Sequence, residues 1–338
     1  MSEERQPRIL MVGNFWNWSL EWSYVKAFRQ LGTAVETFDW WKESLGAAPE
    51  LAERRYMWRA LSPTANRRLR DRVAKDTPDL VLVFKGLLLR HETVESMRAS
   101  GAATFCFNPD NPFNPSLSST RPELREAISA WDCYFTWGRF LIDRLYSVGA
   151  NRVELLPFAW DPERHPFQMP PDSFRYGISF VGSHSAHRER WLRELVDHDL
   201  HVWGPRWGDA RSAVRKHVRG SAVTWTQFSD IVRDSAVSLN ILDPWNVPGH
   251  NMRTFEIPGC GGLQLSTASS EIADMFEVGQ QVLVFHTADE LREMASWARS
   301  HPGRTREIAD AGHNLVSGQT FAHRARQILE VWRDESNR

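Results

Sequence analysis

Gly177-Ile-Ser-Phe-Val-Gly182-Ser183 is a short apolar run ending in a glycine turn, and it echoes Ile9-Leu-Met-Val-Gly13-Asn14 near the start of the chain. Short, fully apolar runs bounded by glycine read as strands covered on both faces, the kind that build parallel sheets. Working outward from Gly13, Leu20 to Leu31 has helical spacing and stops at Gly32, and Ala34-Val-Glu-Thr-Phe-Asp39 is the next strand. The same grammar continues through strands at Asp79–Lys85, Ala103–Asn108, Asp132–Thr136 and Arg152–Pro157. Beyond Gly182 it resumes at Leu200–Trp203, Ala236–Leu242, Gly262–Ser266 and Gln281–Phe285. Trp160 to Arg175 interrupts it, with Pro162, Pro166, Pro170 and Pro171 and no periodic apolar face. The expected fold is therefore α/β: two doubly wound Rossmann-like domains, 1–160 and 177–321, joined by a proline-rich linker over 161–176. A C-terminal helix over 322–338, patterned from about Ala322 to Arg333, closes the chain. Ligand is expected in an interdomain cleft, where the carboxyl ends of the strands face each other.

Composition narrows the function classes. The chain has 338 residues, 42% of them hydrophobic, enough for two cores. Lys and Arg total 41 against 42 Asp and Glu, so no global field favours nucleic acid as a partner. Met1-Ser2-Glu3-Glu4-Arg5 carries acids and no apolar h-region, so no secretory signal is expected. Cys106, Cys133 and Cys260 are widely spaced, which excludes a disulfide scaffold and a thiolate zinc site and fits a reducing cytoplasm. Sixteen Trp is more than a core of this size needs.

Neither glycine turn completes GxGxxG, and GxxxxGK[ST] and GxSxG are absent, which argues against nicotinamide, P-loop and hydrolase chemistry. The most informative stretch is Pro248-Gly-His-Asn-Met-Arg-Thr-Phe-Glu-Ile-Pro-Gly-Cys-Gly-Gly262, which precedes a strand. A short helix is expected from about Met252, with Arg253 offering a fork that matches phosphate and Glu256 a carboxylate able to accept both hydroxyls of a ribose. The same glycines also fit a tight helix–strand junction with no ligand. In the first half, Lys85 ends a strand, and Asp110 follows one within Asn108-Pro-Asp-Asn-Pro112. Asp110 is either a base for an acceptor hydroxyl or part of an Asx-type turn. Lys85 is either a cleft cation or a snorkelling edge residue.

Asn251-Met-Arg-Thr-Phe-Glu256 with Cys260-Gly-Gly262 resembles the signature of the CgeB-like glycosyltransferases, a branch similar to family 4 glycosyltransferases with the GT-B fold. Phe180-Val-Gly-Ser183 with Arg188, Val202-Trp-Gly-Pro205 and Phe321-Ala-His-Arg324 resemble other parts of that family in order. The resemblance implies a donor site made by Gly182, Ser183, His184, Arg188, Asn251, Met252, Arg253, Thr254 and Glu256. In it Gly182, Ser183 and Arg188 face a diphosphate, Arg253 stands beside them, and Glu256 holds the ribose. Trp203 or Gly204 borders the base. Family 4 enzymes carry a second Glu eight positions before the ribose Glu; here that position is Pro248.

The resemblance and the residue pattern together imply a glycosyltransferase that moves a sugar from a nucleoside diphosphate sugar to an acceptor hydroxyl, with Asp110, Arg253 and Lys85 as candidate catalytic residues. It is expected to be retaining, metal-independent, free of cofactors and cytoplasmic, its acceptor a glycan, a lipid-linked sugar, a protein or a small molecule. The rivals are a sugar-nucleotide epimerase and a non-catalytic sugar-nucleotide-binding or surface-assembly protein. His184-Ser-Ala-His187 and His198-Asp-Leu-His201 lack the partners that complete a metal site. The basic stretch Arg54 to Lys75 reads as a solvated helix face, with contact to an anionic membrane as the second reading. Trp16, Trp18, Trp22, Trp40 and Trp41 lie in or near loops of the first half; some are expected to line an acceptor groove, and Trp22 to belong to the core.

Overall fold

The structure, a computed structural model, describes residues 5–337 apart from 18, 46–56, 88, 116–121, 170, 172, 212, 222 and 224. The chain divides into two compact units, Met1–Pro157 with Phe321–Arg338, and Phe158–Thr320.

Unit 1 is built on a six-stranded parallel sheet of β1 (Ile9–Gly13), β2 (Val35–Asp39), β3 (Leu80–Phe84), β4 (Ala103–Asn108), β5 (Cys133–Thr136) and β6 (Val153–Leu155). The strand order is β2-β1-β3-β4-β5-β6. Every residue of β1 and β3 is buried, as their unbroken apolar runs require. The winding reverses between β1 and β3, which makes that pair the topological switch point. The helix Leu20–Gln30 begins at Ser19, whose hydroxyl accepts the Trp22 N–H, and buries Tyr24, Val25, Ala27 and Phe28. The C-terminal helix Phe321–Ser336, expected as a separate element, is part of this unit. Phe321 meets the edge of Tyr24 at 5.2 Å, Arg324 Nε donates to the Pro157 carbonyl at 2.9 Å, and Arg152 pairs with Glu335 at 3.2 Å.

Unit 2 carries the second six-stranded parallel sheet: β7 (Tyr176–Val181), β8 (Leu200–Trp203), β9 (Val218–Gly220), β10 (Ser235–Asn240), β11 (Gln264–Thr267) and β12 (Leu283–Phe285). Its order is β12-β11-β10-β7-β8-β9, with the reversal between β7 and β10. All the strands read from the sequence form, with ends shifted by a residue or two. Strand β9 is an addition: Val218-Arg-Gly220 is too short to register as an apolar run.

The proline-rich stretch is no linker. The unit boundary falls at Pro157, and the residues after it pack into unit 2. Trp160 Nε1 donates to the Val316 carbonyl at 3.1 Å, His165 meets the edge of Phe228 at 5.2 Å, and Phe167 stacks on His313 at 4.1 Å. Proline removes periodicity without removing burial. A run of aromatic anchors spaced by prolines is therefore invisible to helix and strand patterns.

Candidate functional site

In a doubly wound sheet, ligands bind outside the carboxyl ends of the strands at the switch point. In unit 2 that place is the turn Gly182-Ser183-His184, which leads from β7 into the helix Ala186–Arg193. Ser185 caps this helix by accepting the Arg188 N–H at 3.2 Å. The turn is fixed by its neighbour: Gly182 N–H donates to the Trp203 carbonyl at 2.9 Å, and Trp207 Nε1 donates to the Gly182 carbonyl at 2.8 Å. Gly204 has φ +141°, and a Cβ there would lie 2.0 Å from the Gly182 oxygen, so only glycine allows the two loops to touch.

Three guanidinium groups gather at this turn. Arg188 donates from Nη1 to the Ser183 carbonyl at 2.9 Å and hydroxyl at 3.0 Å, while its Nε is buried with no hydrogen-bond partner. Burial lowers its pKa, Asp243 works against that, and Arg253 and Arg206 lower it further. Arg253 donates from Nε to the Val181 carbonyl at 3.3 Å and lies 4.3 Å above the Phe228 ring. Arg206 donates to the His184 carbonyl at 3.2 Å. Like charges this close, one of them buried and short of a partner, make a receptor for an anion with several oxygens.

Other expected donor residues have different work. Glu256 does not face outward to a ribose: its side chain is 3% exposed and forms an ion pair with Arg253, with His165 Nδ1 at 3.9 Å on its other side. Burial is the main cause that holds the His165 pKa down, even though Glu256 pulls it up. Thr254 is fully buried, and Asn251 Nδ2 donates to Asn240 Oδ1 at 2.8 Å while Asn240 Nδ2 donates to Thr254 Oγ1 at 3.2 Å. These side chains shape the loop before the helix Arg253–Gly259, and half-buried Met252 precedes that helix. His250 and Glu271, both buried, brace the loop at 3.1 Å. His184 is taken up by Glu189, Nε2 to Oε2 at 2.7 Å.

Trp203, expected at the base, is instead 8% exposed, packed with Val181, Phe228, Val232 and Ile257, and met by the edge of Tyr176 at 5.3 Å. Gly204 is likewise a packing device. Sequence reasoning missed His165, Arg206 and Asp243, the first because it lies in the supposed linker and the others because they sit in aperiodic loops.

Unit 1 presents a different group at its own switch point. Lys85 follows β3 with φ +64°, donates its N–H to the Phe107 carbonyl at 2.9 Å, and sets Nζ 3.0 Å from Asp110 Oδ2. The Asx turn read at Asp110 is present, since Asp110 N–H donates to Asn108 Oδ1 at 3.0 Å. That turn carries the carboxylate onto Lys85, so the two readings of the segment coexist. Glu21, which nothing in the sequence pattern singles out, lies in the first turn of Leu20–Gln30 and is only 6% exposed. Burial raises its pKa, while its own backbone N–H, Lys85 and the Asn14 N–H lower it. A Cβ at Gly13 would lie 2.8 Å from Glu21 Cγ, so glycine at the end of β1 makes room for this carboxyl.

Trp22 is not core: it is 38% exposed, and Trp16 is 40% exposed. Trp40 is buried against Phe38, edge-on at 5.6 Å. Trp18 and the side chain of Trp41 lie outside the described residues, as do Arg54, Arg55 and Tyr56 of the basic stretch and the side chains of 57–61. In the described part of the helix Met57–Asp76, Arg72 pairs with Asp76 and Glu36, Arg68 donates to the Glu43 carbonyl, and Arg70 donates to Thr93 Oγ1 at 3.1 Å.

Among the described residues no three His, Cys, Asp or Glu side chains are grouped to hold a metal ion, and no helix is long and apolar enough to cross a membrane. The three cysteines are free and buried, with the Cys260 thiol pushed up to about 12 by burial, which makes it a poor nucleophile.

Residues 187–330 match a sequence family described as glycosyl transferase-like. No curated protein matches the chain in sequence. Solved structures do match in fold. The lipopolysaccharide outer core galactosyltransferase WaaB is 11% identical, with a TM-score of 0.65 over 95% of this chain and 97% of that one. Sucrose-phosphate synthase from Thermosynechococcus elongatus is 12% identical, with a TM-score of 0.67 over 98% and 100%. The Anabaena protein HepE, solved with UDP-glucose, is 11% identical, with a TM-score of 0.65 over 97% and 100%. The chain thus has the fold of the GT-B glycosyltransferases and carries, over residues 187–330, a glycosyl transferase-like region.

Proposed function

We propose that this protein transfers a sugar from a nucleoside diphosphate sugar to an acceptor hydroxyl. The observation that carries the reading is the group of Arg188, Arg253 and Arg206 at the β7–β10 switch point, where a buried guanidinium still has an unsatisfied N–H. A diphosphate is the anion that such a group fits, because its several oxygens accept from several forks at once. HepE, solved with UDP-glucose, supports the same donor class here. Arg253 is placed to stabilise charge on the leaving diphosphate, and Glu256 with His165 holds it in that orientation. Met252, Asn251 and Thr254 act through the shape of their loop.

The transfer is read as retaining, with the leaving diphosphate itself taking the acceptor proton. In an inverting reaction Asp110, held by Lys85, becomes the base. No metal or cofactor is required in either route, since the cations come from side chains. The proposed setting is cytoplasmic, and the acceptor class stays open among glycan, lipid-linked sugar, protein and small molecule. Exposed cations of Met57–Asp76 are the part of unit 1 that an anionic membrane would meet.

One observation favours a second reading, a protein that binds a sugar nucleotide without turning it over. Pro248 stands where family 4 enzymes have a Glu, and Glu256 is sealed against Arg253. Incubating the protein with UDP-, GDP-, ADP- and dTDP-sugars, with and without cell-extract acceptors, decides between the readings. Acceptor-dependent release of nucleoside diphosphate supports transfer. Donor isomerisation without acceptor means an epimerase, and binding without turnover means a carrier.

A further inference from the structure

Glu21 has no part in the proposed transfer, and its position calls for one. A carboxylate taken out of water is costly unless it is paired, and a protein seeking stability alone would place an apolar or amide side chain there. Here the carboxyl is buried at the head of the first helix, at the β1–β3 switch point, in space that Gly13 leaves open. Its contact with the backbone of the preceding loop is long, 3.4 Å from the Asn14 N–H to Oε1. The charge that acts on it is Lys85, and the Lys85 ammonium also stands 3.0 Å from Asp110. One ammonium is therefore shared between a buried carboxyl behind it and a half-exposed carboxylate in front.

We infer that Glu21 is a positioning residue, which draws the Lys85 ammonium from behind and thereby sets where Lys85 holds the Asp110 carboxylate at the carboxyl end of the first sheet. The inference rests on the transferase reading for its consequence in turnover, and on geometry alone for the link from Glu21 to Lys85. Lys85 cannot choose its own place: φ +64° and the following Gly86 at +70° fix only its backbone, and the flexible side chain needs a second anchor. Asp110 is fixed through the Asn108 turn, so the ammonium between it and Glu21 is the adjustable part.

The test uses the full chain with Glu21→Gln, which keeps shape and removes charge, and Glu21→Asp, which keeps charge on a shorter stem. Release of nucleoside diphosphate from UDP-glucose, UDP-galactose, GDP-mannose and ADP-glucose is measured with cell-extract acceptors, alongside thermal melting. In parallel the lysines are reductively methylated with ¹³C-formaldehyde, and the Lys85 methyl resonance is identified by its loss in Lys85→Arg. Glu21→Gln is expected to melt no lower than wild type, to lower kcat about tenfold at unchanged donor KM, and to move the Lys85 resonance. Glu21→Asp is expected to recover part of kcat. A purely structural Glu21 would give the reverse, lower melting with kcat unchanged, and would overturn the inference. If Glu21→Gln fails to fold, Glu21→Asp carries the same measurements, and a Lys85 resonance that ignores it overturns the inference. If the wild type turns over no sugar nucleotide, the transferase reading fails by itself, and the Lys85 resonance still decides whether Glu21 positions Lys85.

Discussion

At the switch point of unit 2 the first turn of the helix after β7 carries Arg188; at the switch point of unit 1 the first turn of the helix after β1 carries Glu21. The start of a helix is the positive end of its dipole, which favours a carboxylate and disfavours a cation. Glu21 therefore sits where helix electrostatics welcome it, whereas Arg188 sits against the dipole, beside Arg253 and Arg206, and largely out of water. The same backbone device has been given opposite charge. Unit 1 offsets its buried carboxyl internally with Lys85, and needs no ligand to do so. Unit 2 leaves its cations in excess over Asp243 and Glu256, and an incoming anion with several oxygens relieves the repulsion. Two sheets of like winding thus divide proton handling and anion binding between them.

The sharpest way to break this division is Asp110→Asn, which removes charge and basicity while keeping shape. Transfer should fall at least about a hundredfold if Asp110 takes the acceptor proton, since a general base contributes roughly 10²–10⁴. Nucleotide affinity measured by calorimetry should stay within about threefold, under roughly 0.7 kcal/mol. A fall of only about tenfold would make Asp110 an acceptor-positioning group and favour the retaining route. Loss of nucleotide binding in a folded variant would show that the two units do not divide the work.

Next in size are the cations of unit 2. Arg188→Ala and Arg253→Ala should each weaken UDP binding about ten- to a hundredfold, as expected for a charge-assisted contact of roughly 1.5–3 kcal/mol. Glu256→Ala should weaken it less, because it acts by freeing Arg253. The Arg253→Ala, Glu256→Ala double variant should then cost no more than Arg253→Ala alone, a non-additivity expected of residues in contact. Additive losses would restore Glu256 as a separate contact to the ligand. Smaller again is the effect of chelation: EDTA should leave turnover unchanged, and loss of activity restored by manganese would reveal a metal site.

How far the sequence led depends on the same contrast between local and distant causes. Strands such as Leu80-Val-Leu-Val-Phe84 were legible because burial on both faces writes itself into an unbroken apolar run. Arg188 and Arg253 were legible through their place next to glycine turns. Glu21 was not, since in sequence it is one polar residue at the start of an amphipathic helix, and its burial depends on the absent Cβ of Gly13, eight positions earlier and on another element. Trp203 and Trp22 were misjudged in opposite senses because a tryptophan's exposure is set by neighbours such as Tyr176 and Val232 that its own segment does not name. His165 was lost with the prolines around it.

The smallest expected effect tests whether the two units hold their buried titratable groups in opposite ways. The Glu21 pKa is raised above the ordinary 4.5, so the folded chain binds that proton more tightly than the unfolded chain does. Where the folded state binds more protons, stability falls as pH rises, and the fall begins near 4.5 and continues up to the raised folded value. His165 in unit 2 has its pKa lowered below 6.5, so the folded chain binds that proton less tightly, and its contribution is present above 6.5 and lost as pH falls through that range. Urea midpoints measured from about pH 4.5 to 8 should show Glu21→Gln gaining on wild type as pH increases. A neutral His165→Gln should gain on wild type as pH decreases, provided it packs against Phe228 equally well. Wild-type and Glu21→Gln curves that run parallel would mean that Lys85 fully offsets the burial of Glu21, and that the first unit holds an ordinary ion pair where the asymmetry between the units requires a strained one.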